Sequence, residues 1–263
     1  MPSVRYERVG AASVLEIARP ERRNAVDLET AELLLDGLRR FEADEEARVM
    51  VLTGEGEEAF CAGADLKALA DIADAPSEEL IENMAGRPEG PMGFTRLTPT
   101  KPTIAAISGW CLAGGLELAL WCDLRIGTES ARLGCPERRW GVPLIDGGTQ
   151  RLPRIVGLGR ALDLILTGRI VEAPEALDWG LLNEVVPPGR HLDRALEIAE
   201  GLAAFPQETM LSDRRAAIEG STLPLADGLA LEAELGRDSI SVGLRGAARF
   251  ASGEGRGGEG SGV

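Results

Sequence analysis

Aromatic residues make up only 4% of the 263-residue chain, and it has a single histidine, His191. With that one imidazole in the helical C-terminal part, and with no G-x-S-x-G stretch, a serine-hydrolase reading fails. Cysteine is also sparse. Cys61, Cys111, Cys122 and Cys135 show no C-x-x-C spacing and have no histidine close by in sequence, which leaves neither a zinc pattern nor a thioredoxin-like motif. They read as reduced thiols of a cytosolic protein. Basic charge is in deficit: 28 Lys and Arg stand against 43 Asp and Glu, a net charge of −15. That balance argues against a nucleic-acid or anionic-membrane surface, so an anionic ligand would need a local basic patch. The N-terminus, MPSVRYERVG, lacks the basic and then apolar pattern of a signal peptide, so the chain is expected to stay in the cytoplasm. The one long apolar run, from Pro102 to Cys122, is broken by Gly109, Gly114, Gly115 and the charged Glu117. A charge at the centre of a membrane span costs roughly 2.5–3.5 kcal/mol, so a strand, a turn and a buried helix are the better reading.

What is present is an ordinary apolar content of 44%, enough for a sizeable core. Short apolar stretches at 12–18, 48–53, 103–108 and 123–128 alternate with helical patterns at 27–44 and 78–86. The pattern is a βα alternation. Asp27 is placed to cap the helix that starts at Leu28, whose apolar face is Leu34, Leu38 and Phe41. Beyond Pro187-Pro188-Gly189 the text turns helical, which divides the chain into 1–187, a helical region 188–252 and a Gly-rich tail 253–263 expected to be disordered.

The chemistry concentrates in GWCLAGGLELALWCDLRIG, residues 109–127. Gly114 and Gly115 lie between a predicted strand and a helix starting near Leu116, where backbone can approach a ligand and helix amides favour an anion. A plain tight turn with a packing glycine would look the same. A second turn, Ala62-Gly63-Ala64-Asp65, follows the 48–53 strand, and amides from the two turns would form an oxyanion hole if they converged. Glu117 and Glu137 fall close to this region, and two carboxylates flanking a reacting atom can divide acid and base roles. Glu117 sits among leucines and is expensive to bury without a function or a partner. Glu137 has Arg138 and Arg139 beside it, so a surface ion pair is its alternative.

Together GWCLAGGLELALWCDLRIG, FCAGADL, RNAVD and GCPERRWGVPLIDGGTQRLPRIVG, in this order, resemble the crotonase superfamily, the enoyl-CoA hydratase and isomerase proteins, from about Val4 to Phe250. The resemblance implies an α/β fold, a spiral of repeated ββα turns, with C-terminal helices that form a trimer or a dimer of trimers. It implies an acyl-CoA thioester as substrate, no separate cofactor and no metal. It places the oxyanion hole on the amides of Ala64 and Gly114, and matches Glu117 and Glu137 to the hydratase glutamates. It further puts CoA contacts on Arg22, Arg23, Ala25, Ala62, Asp65, Leu66 and Asp146, with Arg19 near the phosphates. For the arginines, solvated loop charge is the alternative.

One departure stands out. Where hydratases commonly show PGAGGTQR, this chain has PLIDGGTQR, which sets Asp146 beside the expected acyl pocket as a third acid/base group, a tuner of Glu137, or a cap for the helix from Gly147. Trp110 and Trp140 either shape that pocket or fill core. The leading expectation is an enoyl-CoA hydratase of fatty acid metabolism. Its competitors are a Δ3,Δ2-enoyl-CoA isomerase or another acyl-CoA enzyme of the same fold, and a member that binds acyl-CoA without turnover.

Overall fold

The computed structural model describes residues 2–70, 78, 82 and 85–253. The helix expected over 78–86 therefore lies largely outside the described residues, as does the tail from Glu254. Contacts divide the chain into Met1–Ala199 and Glu200–Val263.

Among the described residues of the first unit, ten strands form two sheets. The strands are β1 (Val4–Val9), β2 (Ala12–Ile17), β3 (Val49–Gly54), β4 (Ala59–Cys61), β5 (Thr103–Ile107), β6 (Trp110–Leu112), β7 (Leu124–Thr128), β8 (Arg132–Gly134), β9 (Ile170–Glu172) and β10 (Glu184–Val186). The larger sheet has the order β1-β2-β3-β5-β7-β10, parallel except for the β1–β2 pair, and the smaller has β4-β6-β8-β9, antiparallel only at β8–β9. Successive strands of the first sheet are each followed by a short strand of the second: β3 by β4, β5 by β6, β7 by β8. The helices α1 (Leu28–Ala43), α2 (Leu66–Ala70), α3 (Gly114–Trp121), α4 (Gly148–Val156), α5 (Leu158–Thr167) and α6 (Ala173–Asp178) cover these sheets. Strand, short strand and helix recur as one unit, which is the expected ββα repeat.

Every residue of β3 and β5 is buried, as parallel strands covered on both faces require. The α1 stripe Leu34, Leu38 and Phe41 is buried, and the Asp27 carboxylate accepts the Thr30 amide at 2.9 Å, the cap the sequence places there. The β1 edge strand escapes sequence reading because the alternation begun by Val4, Arg5, Tyr6 and Glu7 is broken at Arg8 and Val9, which leaves too short a period; Arg5 is held by Glu16 across the β1–β2 pair at 2.7 Å.

The helix α7 (His191–Ala204) follows β10. His191, Ala195 and Ala199 are buried along one face of it. Its first half thus belongs to the first unit, and the division falls inside this helix rather than at Pro187–Gly189. The second unit holds α8 (Gln207–Gly220), α9 (Leu225–Arg237) and α10 (Ile240–Ser252), and no side chain of these three helices is buried within the single chain. Among the described residues no helix is long and apolar enough to cross a membrane. All four cysteines are free and buried, and burial pushes the Cys61 thiol up to about 12, which leaves it inert.

Candidate active site

The site begins at the turn between β6 and α3. Ala113 sits at φ 52°, ψ −124°, a conformation that L side chains avoid, and its amide is held by the Gly134 carbonyl at 2.9 Å. Its own carbonyl accepts the Glu117 amide at 3.1 Å, which starts the helix with Gly114 as first residue. The Gly114 amide is one of the helix-end donors without an intrahelical acceptor. Close approach requires glycine at Gly115, where a Cβ would run into the Cys61 carbonyl, while a Cβ on Gly114 would stand 2.8 Å from Sδ of the flexible Met92 side chain.

The second turn lies against the first. A Cβ on Gly63 would be 3.0 Å from the Gly114 nitrogen and 2.9 Å from Ala113 Cβ. Val26 donates to the Gly63 carbonyl at 2.9 Å and accepts the Asp65 amide at 2.8 Å, so the Ala64 N–H between them points to the opposite edge. The turn is braced by Arg19, whose guanidinium meets Asp65 at 3.0 Å and Asp27 at 2.8 Å. Burial pushes the Asp65 carboxyl upward, but the Ala68 amide and Arg19 outweigh it and hold it below its ordinary value. Arg19 thus braces the protein's own turn. Arg22 and Arg23 are exposed, Arg23 pairing with Glu58 at 2.8 Å, and neither they nor the buried Ala25 line the cavity described next.

That cavity has a volume of about 830 Å³. Ala62, Ala64, Asp65, Leu66, Gly114, Glu117, Glu137 and Asp146 all line it. Trp140 lines it while 75% exposed, whereas Trp110 lies elsewhere, under Arg132 at 4.9 Å. Among the described residues no group of three or more His, Cys, Asp or Glu is placed to hold a metal.

The two glutamates differ in their partners. Glu117, 2% exposed, accepts the Asp146 amide at 3.0 Å and the Gly148 amide at 2.7 Å, both on Oε1. Burial raises its pKa to about 7; the charges of Asp146 and Glu137 push the same way, and the two amides pull it back. Glu137, 5% exposed in the 3-10 turn Pro136–Trp140, has both carboxylate oxygens buried with no hydrogen-bond partner in another of the described residues. Its neighbours are occupied elsewhere: Arg138 donates to the Ile165 carbonyl at 3.2 Å and Arg139 to the Gly168 carbonyl at 3.3 Å. The surface ion-pair alternative therefore falls. Burial raises the Glu137 carboxyl above its ordinary value, against the pull of its own amide and the Arg138 charge.

The helix-cap reading of Asp146 is corrected. The residue before α4 is Gly147, which has no side chain to cap with, and the Asp146 carboxylate turns away to accept the Met92 amide at 3.0 Å and the Thr95 hydroxyl. Sequence reasoning missed Met92, Thr95 and Arg151. Met92 and Thr95 carry no motif and reach the site only through the fold, while Arg151 ends the PLIDGGTQR stretch with no signal of its own for the contacts it makes.

Comparison with known proteins identifies the family. The enoyl-CoA hydratase/isomerase family model matches residues 7–251. The short-chain-enoyl-CoA hydratase of Clostridium acetobutylicum is 36% identical over 236 residues, covering 88% of this chain and 87% of that protein. The (E)-benzylidenesuccinyl-CoA hydratase of Thauera aromatica is 36% identical over 211 residues, 80% of each chain. The crystal structure of an enoyl-CoA hydratase from Bacillus anthracis superposes with a TM-score of 0.86 at 35% identity, covering 95% of this chain and 96% of that one. With the ββα spiral and four ordered motifs already in place, these matches establish that the chain has the crotonase fold and belongs to the enoyl-CoA hydratase/isomerase family.

Proposed function

We propose that the protein is an enoyl-CoA hydratase that adds water across the Cα=Cβ bond of a 2-enoyl-CoA thioester, with Glu117 as base and Glu137 as acid. The observation that carries this reading is the unequal solvation of two carboxylates in one cavity. Glu117 receives two amide N–H bonds on Oε1, which favour its charged form, while Glu137 receives none from another residue, which favours its neutral form. Burial raises both carboxyls, and the two amides that pull Glu117 back toward its charged form support it as the group that accepts a proton and Glu137 as the one that gives it.

In the reaction Glu117 takes a proton from water as the oxygen bonds to Cβ. The π electrons shift toward the thioester oxygen, where the amides of Ala64 and Gly114 meet the developing charge. Electrons return to Cα as Glu137 delivers its proton there. Water addition is redox-neutral, so the proposal calls for no cofactor; CoA enters as part of the substrate. The contacts proposed for CoA are Ala62, Asp65 and Leu66 on the cavity wall, with Arg22, Arg23 and Ala25 outside it.

The relatives' names range from short-chain to benzylidenesuccinyl acyl groups, and the acyl chain is best sought with a panel. We further propose a homo-oligomer, a trimer or dimer of trimers, acting in the cytoplasm. Leu225, Leu229, Ile240, Leu244 and Phe250 on α9 and α10 are exposed in the single chain, which supports burial between copies. Crotonyl-CoA, followed by loss of its conjugated thioester absorbance, tests the chemistry with wild type, Glu117→Gln and Glu137→Gln. No turnover of any enoyl-CoA by wild type overturns the hydratase reading. Loss in Glu137→Gln alone would favour an isomerase-type proton transfer.

A further inference from the structure

Asp146 is 3% exposed, lines the cavity and has no part in the proton transfers above. Its main chain and side chain face different elements. The main-chain amide donates to Glu117 Oε1 at 3.0 Å. The carboxylate Oδ1 accepts the Met92 amide at 3.0 Å and the Thr95 hydroxyl. Met92 in turn backs the oxyanion turn, its sulfur standing 2.8 Å from where a Gly114 Cβ would be. Arg151 on α4 staples the same two segments, donating from Nη1 to the Asp146 carbonyl at 3.0 Å and from Nη2 to the Thr95 carbonyl at 2.6 Å. Arg96 adds a bond to the Ile145 carbonyl at 3.0 Å.

A buried carboxylate is costly unless its oxygens are satisfied, and here both donors come from one short segment distant in sequence. We infer that Asp146 is a positioning residue that ties the Met92–Thr95 segment, and through it the wall behind the Gly114 amide, to the main-chain amide that orients Glu117. Oxyanion donor and base are then held in one register by a single residue. The kinetic consequence rests on the hydratase reading; the structural consequence does not.

The test uses Asp146→Asn, which keeps an oxygen able to accept both donors, Asp146→Ala, which removes it, and Thr95→Val, which removes one donor. For crotonyl-CoA hydration, kcat in Asp146→Ala is expected to fall by about 10- to 100-fold with KM changed by less than about threefold, because a misplaced group costs turnover more than grip. Asp146→Asn is expected to restore kcat to within about threefold of wild type, with Thr95→Val between them. Hydrogen exchange at the Met92 amide, without substrate, should be protected in wild type and Asp146→Asn and about tenfold faster in Asp146→Ala. Unchanged Met92 exchange in Asp146→Ala overturns the inference, as does an Asp146→Asn enzyme as slow as Asp146→Ala, which would make the carboxylate itself part of the chemistry. A wild type that hydrates nothing would defeat the hydratase reading alone, since the exchange measurement still decides the tie.

Discussion

The Gly148 amide donates to Glu117 Oε1 at 2.7 Å across 31 residues of sequence, and the Asp146 amide reaches the same oxygen at 3.0 Å. One carboxylate oxygen is thus committed to main-chain donors, which fixes the plane of the group and leaves Oε2 as the atom proposed to accept the proton. The Gly-Gly pair at 147–148 makes this geometry available: Gly147 turns at φ +100°, and Gly148 opens α4 with its N–H toward Glu117.

Removing either carboxylate function should affect turnover, with binding little changed. Glu117→Gln and Glu137→Gln are each expected to lower kcat for crotonyl-CoA by about 10²–10⁴-fold, the usual contribution of a positioned acid or base. Steady-state kinetics with KM within a few-fold of wild type would bear this out, because neither side chain is proposed to hold CoA.

The raised Glu117 pKa makes both rate and stability depend on pH. Hydration needs the carboxylate, so kcat/KM should rise as pH increases through about 7. Stability moves the other way. With a folded pKa raised from 4.5 to about 7, the native state binds more protons than the unfolded chain in that window, so stability present below pH 4.5 is lost as pH rises through 7. The charged groups acting on Glu117 are Asp146 and Glu137, which push its pKa up, and Arg151 from α4. The loss corresponds to about 3 kcal/mol at most. Urea unfolding at pH 5 and pH 8 should show a smaller drop for Glu117→Gln than for wild type; equal drops would contradict the raised pKa.

Gly148→Ala is expected to disturb the base directly. The added Cβ would stand 3.0 Å from both Cγ and Oε1 of Glu117, tighter than almost all packed contacts, so the carboxylate must give by a few tenths of an ångström. Since a displacement of 1 Å costs about 10²-fold in rate, this smaller one is expected to lower kcat by about 3- to 10-fold. Loss of kcat with retained secondary structure by circular dichroism is the expected result.

Ala113 holds the turn before Gly114 at a strained φ of 52°. Ala113→Gly removes a strain of order 1–3 kcal/mol and adds about 0.4–1 kcal/mol of unfolded-chain entropy, for a net gain near 1 kcal/mol. Chemical denaturation should show a higher midpoint at unchanged slope. A lower midpoint would mean that the alanine methyl packs favourably enough to offset its backbone strain.

The long elements were legible in the sequence because their signals are local. The strands β2, β3, β5 and β7 and the helix α1 with its Asp27 cap lie where apolar runs and spacing put them. The three-residue strands of the second sheet were not, since segments that short carry no period of their own and form only when the ββα repeat stacks them side by side. The β1 edge strand was hidden because its alternation breaks at Arg8 and Val9.

At the site, the sequence by itself determined which chemistry-bearing residues exist: a carboxylate in an apolar run after two glycines, a second in the PERRW turn, and two Gly-containing turns that follow strands. Only the tertiary structure decided their states. It turned Arg138 and Arg139 toward the Ile165 and Gly168 carbonyls and left Glu137 unpartnered, placed Gly63 against Gly114, and gave the Asp146 carboxylate to Met92 and Thr95 rather than to a helix end. The physical reason is range. Helix caps, strand periods and turn glycines act within a few residues, whereas burial and hydrogen bonds to a carboxylate depend on which distant segments the fold brings within about 3 Å of it.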